Sequence, residues 1–421
     1  MIPDILDLFR RVASLDLRAQ SSPSIHDCWF GLRLIIAAIV VGSMGWSGHV
    51  LALPVALLFP TLWAKSRSRL VAGSVSAAYF LAASRGLPQG VANFYAADLW
   101  PGLLLWLAAA TSFVAVHAAL WTRRSGEGRS GRAHAGIRRA VRYLAAAVLI
   151  GLPPFGITGW AHPLTAAGVL FPACGWWGLV ATATGLAMMT SRYWPTAAVA
   201  LGGLWLWSAA TWTQPVLPDG WKGIDLKQGQ NLGRDGSLEY HRNLVATVRA
   251  ATAKGTRFFV LPESVLGFWT PTVARVWQEA LRGSDTTVIA GAAVIDAGGY
   301  ENVMVAISAE ETRILYRERM PVPVSMWQPW RAWTGQGGGV RAHLFANPGV
   351  ELDGQRIAPL ICYEQLIVWP ILQSLLHSPD MIVVAGNGWW TSGTAIIAIQ
   401  QASTAAWARL FNLPLVTAFN T

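Results

Sequence analysis

The chain has 421 residues, of which 53% are hydrophobic and 13% charged, and a formal net charge of +10. That composition is too apolar for an ordinary soluble protein. Residues 1–213 hold 16 Lys/Arg against 6 Asp/Glu, while residues 214–421 hold 16 of each, so the excess charge lies in short loops between apolar blocks and nucleic acid is excluded as an expected partner.

In chain order, the polar N-terminus carries Asp4, Asp7 and Asp16 and lacks the basic–apolar–small pattern of a cleaved signal, so it is expected to be retained. Crossing a bilayer takes about 17–25 apolar residues. Blocks near 30–46, 48–64, 70–84, 100–121, 143–160, 164–190 and 194–213 meet or approach that length and predict seven spans, with Trp46, Trp63, Trp100, Trp121, Trp160 and Trp194 near their ends as interfacial anchors. Counted this way, 15 Lys/Arg fall on one side, including Arg10, Arg11, Arg18, Arg33 and the run from Arg123 to Arg142, and only Arg85 falls on the other. The positive-inside rule then puts the N-terminus in the cytoplasm and everything after Thr213 outside it, across a bacterial inner membrane. The Arg123–Arg142 stretch reads as a cytoplasmic loop; binding of anionic lipid is the other reading.

From Trp221 onward short β-branched runs alternate with helices. Strands are expected at 256–261, 286–295, 302–308, 313–316, 356–362 and 381–385, and helices at 237–254 (Ser237 as N-cap), 273–282, 366–377 and 396–410. This predicts two domains: a multi-pass helical membrane domain over 1–213 and an α/β sandwich over 214–421.

Two strand ends stand out. Glu263 follows the apolar run FFVLP, and Cys362 followed by Glu364 ends the run APLI. A thiol at a sharp strand-to-helix turn lies beside backbone N–H groups that stabilise an oxyanion, and a nearby carboxylate can take its proton and return it to a leaving group. A structural cysteine and a helix-capping glutamate are the ordinary alternatives. The other two thiols, Cys28 and Cys174, lie at apolar blocks, and three cysteines make no disulfide framework. Trp327, Trp330 and Trp333 recur every third residue, either as a flap that dips into a lipid leaflet or as ordinary core; Gly335, Gly337, Gly338 and Gly339 suggest a mobile loop after them.

Taken together, QGQN at 228–231, LPES at 261–264, YEN at 300–302, YRERMPVP at 316–323, ICYE at 361–364 and AGNGWW at 385–390 resemble the nitrilase, or carbon–nitrogen hydrolase, superfamily. Placed behind membrane spans, the arrangement is similar to apolipoprotein N-acyltransferase, and RMPVPVSMW resembles the TraB family of conjugative plasmids. The resemblance implies Glu263 as general base and Cys362 as nucleophile, with Tyr363, Glu364 and Trp390 at the substrate. It implies acyl transfer or amide chemistry through a thioester, without cofactor or metal. Expected partners are membrane lipid, a lipoprotein or peptide amine, and proteins of a conjugation apparatus.

The sequence also departs from the family. Glu318 stands where the family has a catalytic lysine, Met326 where it has an acid, and the sequence stops at Thr421, before the closing strands of the acyltransferase. Arg319 is the candidate replacement for the lysine, turned inward by a bulge before Met320. Should both Arg317 and Arg319 point away, with Glu318 alone facing the thiol, a second carboxylate opposes thiolate formation and nitrilase-type catalysis is to be abandoned. The alternative function is then a catalytically silent module serving membrane assembly.

Overall fold

The computed structural model describes residues 25–122, 128–231, 233, 236–252, 255–296, 298–335 and 339–421. The N-terminal residues Asp4, Asp7, Arg10, Arg11, Asp16 and Arg18, together with Arg123, Arg124, Gly337 and Gly338, lie outside the described residues. The helical part comprises α1 Ile25–Gly45, α2 Phe59–Lys65, α3 Arg69–Ala83, α4 Leu87–Tyr95, α5 Leu99–Leu120, α6 Gly128–Gly151, α7 Ala167–Leu170, α8 Gly175–Met189 and α9 Trp194–Ala210.

Seven spans are not found among the described residues. Among the described residues only α1 and α5 are long and apolar enough to cross a membrane, or three segments if α3 and α4, bent by 51°, form one span. Of the remaining apolar blocks the seventh forms α9, one helix of 17 residues, and others break up. The second begins as a 3₁₀ helix, Val50–Leu58, with Pro54 inside it, and the fifth is interrupted at Pro153-Pro154. The sixth splits into 3₁₀ turn, α7 and α8. Many of their apolar residues face protein: Trp63, Tyr79, Tyr143, Ile150 and Val169 share one core with Tyr363, Leu366, Trp369, Ile396 and Ala406 from the C-terminal part, whereas Trp177 of α8 and Val199, Leu206 and Trp207 of α9 are exposed. Hydropathy records apolarity without saying whether lipid or protein covers it. The alternation of loop charge that assigned the two sides required seven spans and lapses with them.

The C-terminal part is an α/β sandwich, as expected. Its first sheet runs β1 Trp221–Gly223, β2 Phe258–Val260, β3 Thr287–Asp296, β4 Gly299–Ile307 and β5 Thr312–Arg317, in that spatial order, parallel as far as β3 and antiparallel after it. The second is β6 Val350–Leu352, β7 Gln355–Ile361, β8 Met381–Asn387 and β9 Leu415–Asn420, with β6 antiparallel and the rest parallel. Alternate residues of each strand divide between two faces. Ile289, Met304, Ile357, Ile361, Val383 and Val416 meet between the sheets. Val288, Val303 and Val305 turn outward under α10 Leu238–Ala251 and α11 Pro271–Leu281. On the opposite side Ala358, Leu360, Ile382 and Val384 turn outward under α12 Val368–Leu375 and α13 Ile396–Phe411.

Four layers result, with the carboxyl ends of β2, β7 and β8 converging. That outer layer over the second sheet is also where the helical part docks. Gly168 of α7 lies so close to α13 that a Cβ there would sit 1.7 Å from the Ala406 carbonyl oxygen.

Candidate active site

Glu263 leaves the end of β2 through Pro262 and is followed by Ser264 at φ +60°. Its backbone nestles against Gly291 of β3, where a Cβ would come within 2.4 Å of the Glu263 Cα. Cys362 follows β7 directly and itself adopts φ +40°, a left-handed conformation that costs an L-residue on the order of 1–3 kcal/mol and clusters at functional turns. The turn is braced from behind. Glu364 Oε2 accepts from the Ile361 N–H at 2.7 Å, while its Oε1 accepts from Tyr316 Oη at 2.7 Å and from the N–H groups of Arg319 and Met320 at 2.7 and 3.2 Å. From α13, Gln400 Nε2 donates to the Cys362 carbonyl at 2.9 Å and lies 3.9 Å from Sγ.

The sequence-predicted pair is therefore brought together. The Cys362 thiol and the Glu263 carboxyl are close enough to perturb each other, and Glu263 Oε2 accepts no hydrogen bond from the protein. Burial drives Glu263 up to about 7, opposed chiefly by the Asn302 hydrogen bond. Burial, then the carboxyls of Glu263 and Glu318, push the Cys362 thiol well above its ordinary range. Resting Cys362 is thus a thiol, and a carboxylate that titrates near neutrality stands ready for its proton.

Arg319 is not at the thiol. Its guanidinium donates to Tyr316 Oη, the Pro370 and Pro359 carbonyls, Gln373 and Ser374, and the side chain is wholly buried among them. Arg317 pairs with Glu301 at 2.8 Å. The bulge expected before Met320 lies earlier, at Leu315, where β4 and β5 shift register. Glu318 is the residue that faces the site. Asn302 Nδ2 donates to Glu318 Oε2 at 2.9 Å and to Glu263 Oε1 at 2.8 Å. The stated condition against nitrilase-type catalysis, both arginines away and Glu318 in place, is met in its geometry.

A cavity of about 520 Å³ opens onto the pair. Glu263, Cys362, Tyr363, Asn387, Trp390 and Gln400 line one part of it, Phe80, Leu87, Val91, Leu105 and Ala109 from α3, α4 and α5 line another, and the loop 322–326 lines a third. Tyr363 donates its hydroxyl to the Ile157 carbonyl at 2.6 Å, which ties the nucleophile turn to the helical part. Trp390 packs on Gly90 of α4, and Asn93 Nδ2 donates to its carbonyl at 3.0 Å. Glu364, expected at the substrate, has no exposed surface and does not line the cavity. Of the tryptophan triplet, Trp327 packs on the helical core whereas Trp333 is 84% exposed. Sequence reasoning missed Gln400 and the bridging role of Asn302; the YEN segment was the available signal for the latter, and the Gln400–Gln401 pair in an otherwise apolar stretch was an unused one for the former.

Two back-to-back sheets between helical layers, with a thiol and a carboxyl at adjoining strand ends, define a cysteine-type α/β sandwich. The carbon-nitrogen hydrolase family model matches residues 81–409. The conjugal transfer protein TraB of Agrobacterium fabrum is 72% identical over 404 residues, 96% of each chain, and a probable conjugal transfer protein TraB of Sinorhizobium fredii is 61% identical over 92% of this chain and 97% of its own. Among solved structures, an amidase from Nesterenkonia is similar over 49% of this chain and 78% of its own, at 10% identity and a TM-score of 0.37. The chain belongs to the carbon–nitrogen hydrolase family and, within it, to the TraB conjugal transfer proteins.

Proposed function

We propose that this is a membrane-bound protein of plasmid conjugal transfer that forms a thioester at Cys362 with an apolar acyl group and passes it to an amine or to water. The observation that carries the reading is the cavity: its walls in the helical part are apolar, and the Cys362–Glu263 pair lines another part of it. A hydrocarbon tail fits such walls, whereas a small polar amide alone leaves most of them uncovered.

In the first step Cys362 Sγ attacks the acyl carbonyl while its proton passes to Glu263 Oε. The tetrahedral intermediate collapses, the bond to the leaving group breaks, and Glu263 returns the proton to that group. The acceptor then attacks the thioester, Glu263 takes its proton, and Sγ leaves with it. A base titrating at about 7 serves both directions near neutral pH. Tyr363 follows the nucleophile, so its N–H is the candidate oxyanion donor, and Trp390 borders the acyl group. The α1 and α5 helices, long and apolar enough to cross a membrane, support a reading in which the protein sits in a bacterial inner membrane and takes its acyl group from membrane lipid.

One observation favours the second reading, a silent module of the transfer apparatus: neither Arg317 nor Arg319 bonds the thiol or its base and Glu318 stands in the lysine's place, the condition set above against nitrilase-type catalysis, which has force only with Glu318 ionised. The experiment is intact-mass measurement of the full chain purified from native membranes. An acyl mass on wild-type protein that is missing from Cys362→Ala is the expected result. No adduct on Cys362, together with full plasmid transfer by the Cys362→Ala strain, overturns the enzyme reading in favour of the silent module.

A further inference from the structure

Glu318 continues the β5 ladder beyond its last paired residue, donating its N–H to the Asn302 carbonyl at 2.9 Å. Its side chain turns into the sandwich with no solvent exposure. A single amide nitrogen, Asn302 Nδ2, donates to Glu318 Oε2 and to Glu263 Oε1, so the two carboxyls are held side by side. Glu318 Oε1 accepts no hydrogen bond from the protein.

The groups that face Glu318 come from every neighbouring element: Glu263 beyond β2, Tyr300 in β4, and Cys362 and Glu364 in the turn after β7. Both nearby cations are engaged elsewhere, Arg317 with Glu301 and Arg319 with Glu364, Tyr316 and main-chain carbonyls. Two ionised carboxylates side by side in a dry pocket, sharing one amide donor, repel each other with little screening. One of the two must keep its proton. Each carboxyl has one oxygen without a hydrogen bond from the protein, but Glu318 is the more enclosed: it has no exposed surface, whereas Glu263 lines the cavity.

We infer that Glu318 is a positioning residue for Glu263: a carboxylic acid that stays protonated at working pH and, through Asn302, holds the base as the single negative charge beside Cys362. Burial first, and the Glu263 charge next, push Glu318 well above the ordinary carboxylate range, in agreement with this geometry. The inference rests, for its catalytic meaning, on the thioester reading above. It also answers the objection to that reading. A second carboxylate opposes thiolate formation only when it is ionised, and a neutral Glu318 adds no charge. The thiol proton moves to Glu263 alone, and Glu318 exchanges none.

The test uses the full chain in detergent and two readouts. Infrared spectra at pH 9, where Glu263 is ionised, should contain a protonated carboxylic acid carbonyl band that disappears in Glu318→Gln and persists when Glu263→Gln is examined. Alkylation of Cys362 by chloroacetamide, followed by mass, should rise with pH through a midpoint near that of Glu263, and Glu318→Gln should leave that midpoint unmoved. Glu318→Lys brings a cation beside the base and should lower the midpoint by about 1–3 pH units. A Glu318→Gln midpoint lower by a unit or more, or a wild-type spectrum without the band, means Glu318 is ionised and overturns the inference. Absence of any Cys362 alkylation sinks the thioester reading instead, and the infrared band still decides the state of Glu318.

Discussion

Arg319 and Glu364 meet at 3.8 Å with neither side chain exposed, directly beneath the Cys362 turn. Glu364 also collects four donors from Ile361, Tyr316, Arg319 and Met320, so the pair fixes the strand end and the entry to the following loop as one unit. Removing one member leaves the other as an uncompensated buried charge, which costs about 3–5 kcal/mol. Glu364→Ala should therefore lower the thermal midpoint of the detergent-solubilised chain by several degrees, and Arg319→Met combined with Glu364→Leu should recover part of the loss. Equal midpoints for wild type and Glu364→Ala would show that the pair does not brace the turn.

Glu263 titrates at about 7 because burial disfavours its charge. Below that pH it holds a proton and cannot accept another; above it, it is ionised and accepts from Cys362. The rate of Cys362 alkylation should thus climb with rising pH and level off above about 7. Glu263→Gln should slow it by about 10²–10⁴, the usual worth of a positioned base. The exposed thiols Cys28 and Cys174 serve as internal references in the same sample. A Glu263→Gln profile that overlays wild type removes Glu263 as the base.

The cavity separates two functions on one protein. Ala109 lies on the α5 wall, remote in sequence from the turns that carry Glu263 and Cys362. Ala109→Trp fills part of that wall and should abolish a long-chain acyl adduct while chloroacetamide still reaches the thiol. Loss of both reactions would place Ala109 in folding, and retention of both would place the acyl chain elsewhere.

The sandwich was legible because its strands are short β-branched runs with two distinct faces, as in Ile289 and Met304 inward against Val288 and Val303 outward. Expected strands at 256–261, 286–295 and 381–385 each overlap an observed one, whereas β1, β6 and β9 were not expected; WKG in β1 and VEL in β6 lack an apolar run such as the FFVL that marks the equally short β2. Glu263 and Cys362 were readable because they sit at the ends of such runs. The direction of Arg319 was not, since the Leu315 bulge that sets the register leaves no mark in the local sequence. The span count failed for a related reason: apolar residues that dock on a second domain look the same as residues that face lipid.

That last difference can be measured at two glycines. Gly168 in α7 sits against α13, where an added Cβ would meet the Ala406 carbonyl oxygen at 1.7 Å and its carbonyl carbon at 2.4 Å. Backbone cannot yield as a flexible side-chain tip would, so α7 must lift away from α13 to admit any larger residue. The same helix carries Gln400, which holds the Cys362 carbonyl, so the disturbance should reach the nucleophile turn. Gly202 in α9 has nothing within 4 Å of the corresponding position. Gly168→Val should lower the thermal midpoint and slow Cys362 alkylation, while Gly202→Ala, which restores helix propensity, should be neutral or stabilising by about 0.5–1 kcal/mol. If α7 instead belonged to a span facing lipid, Gly168→Val would be tolerated as well as Gly202→Ala, and equal stability of the two variants would refute the docking of α7 on α13.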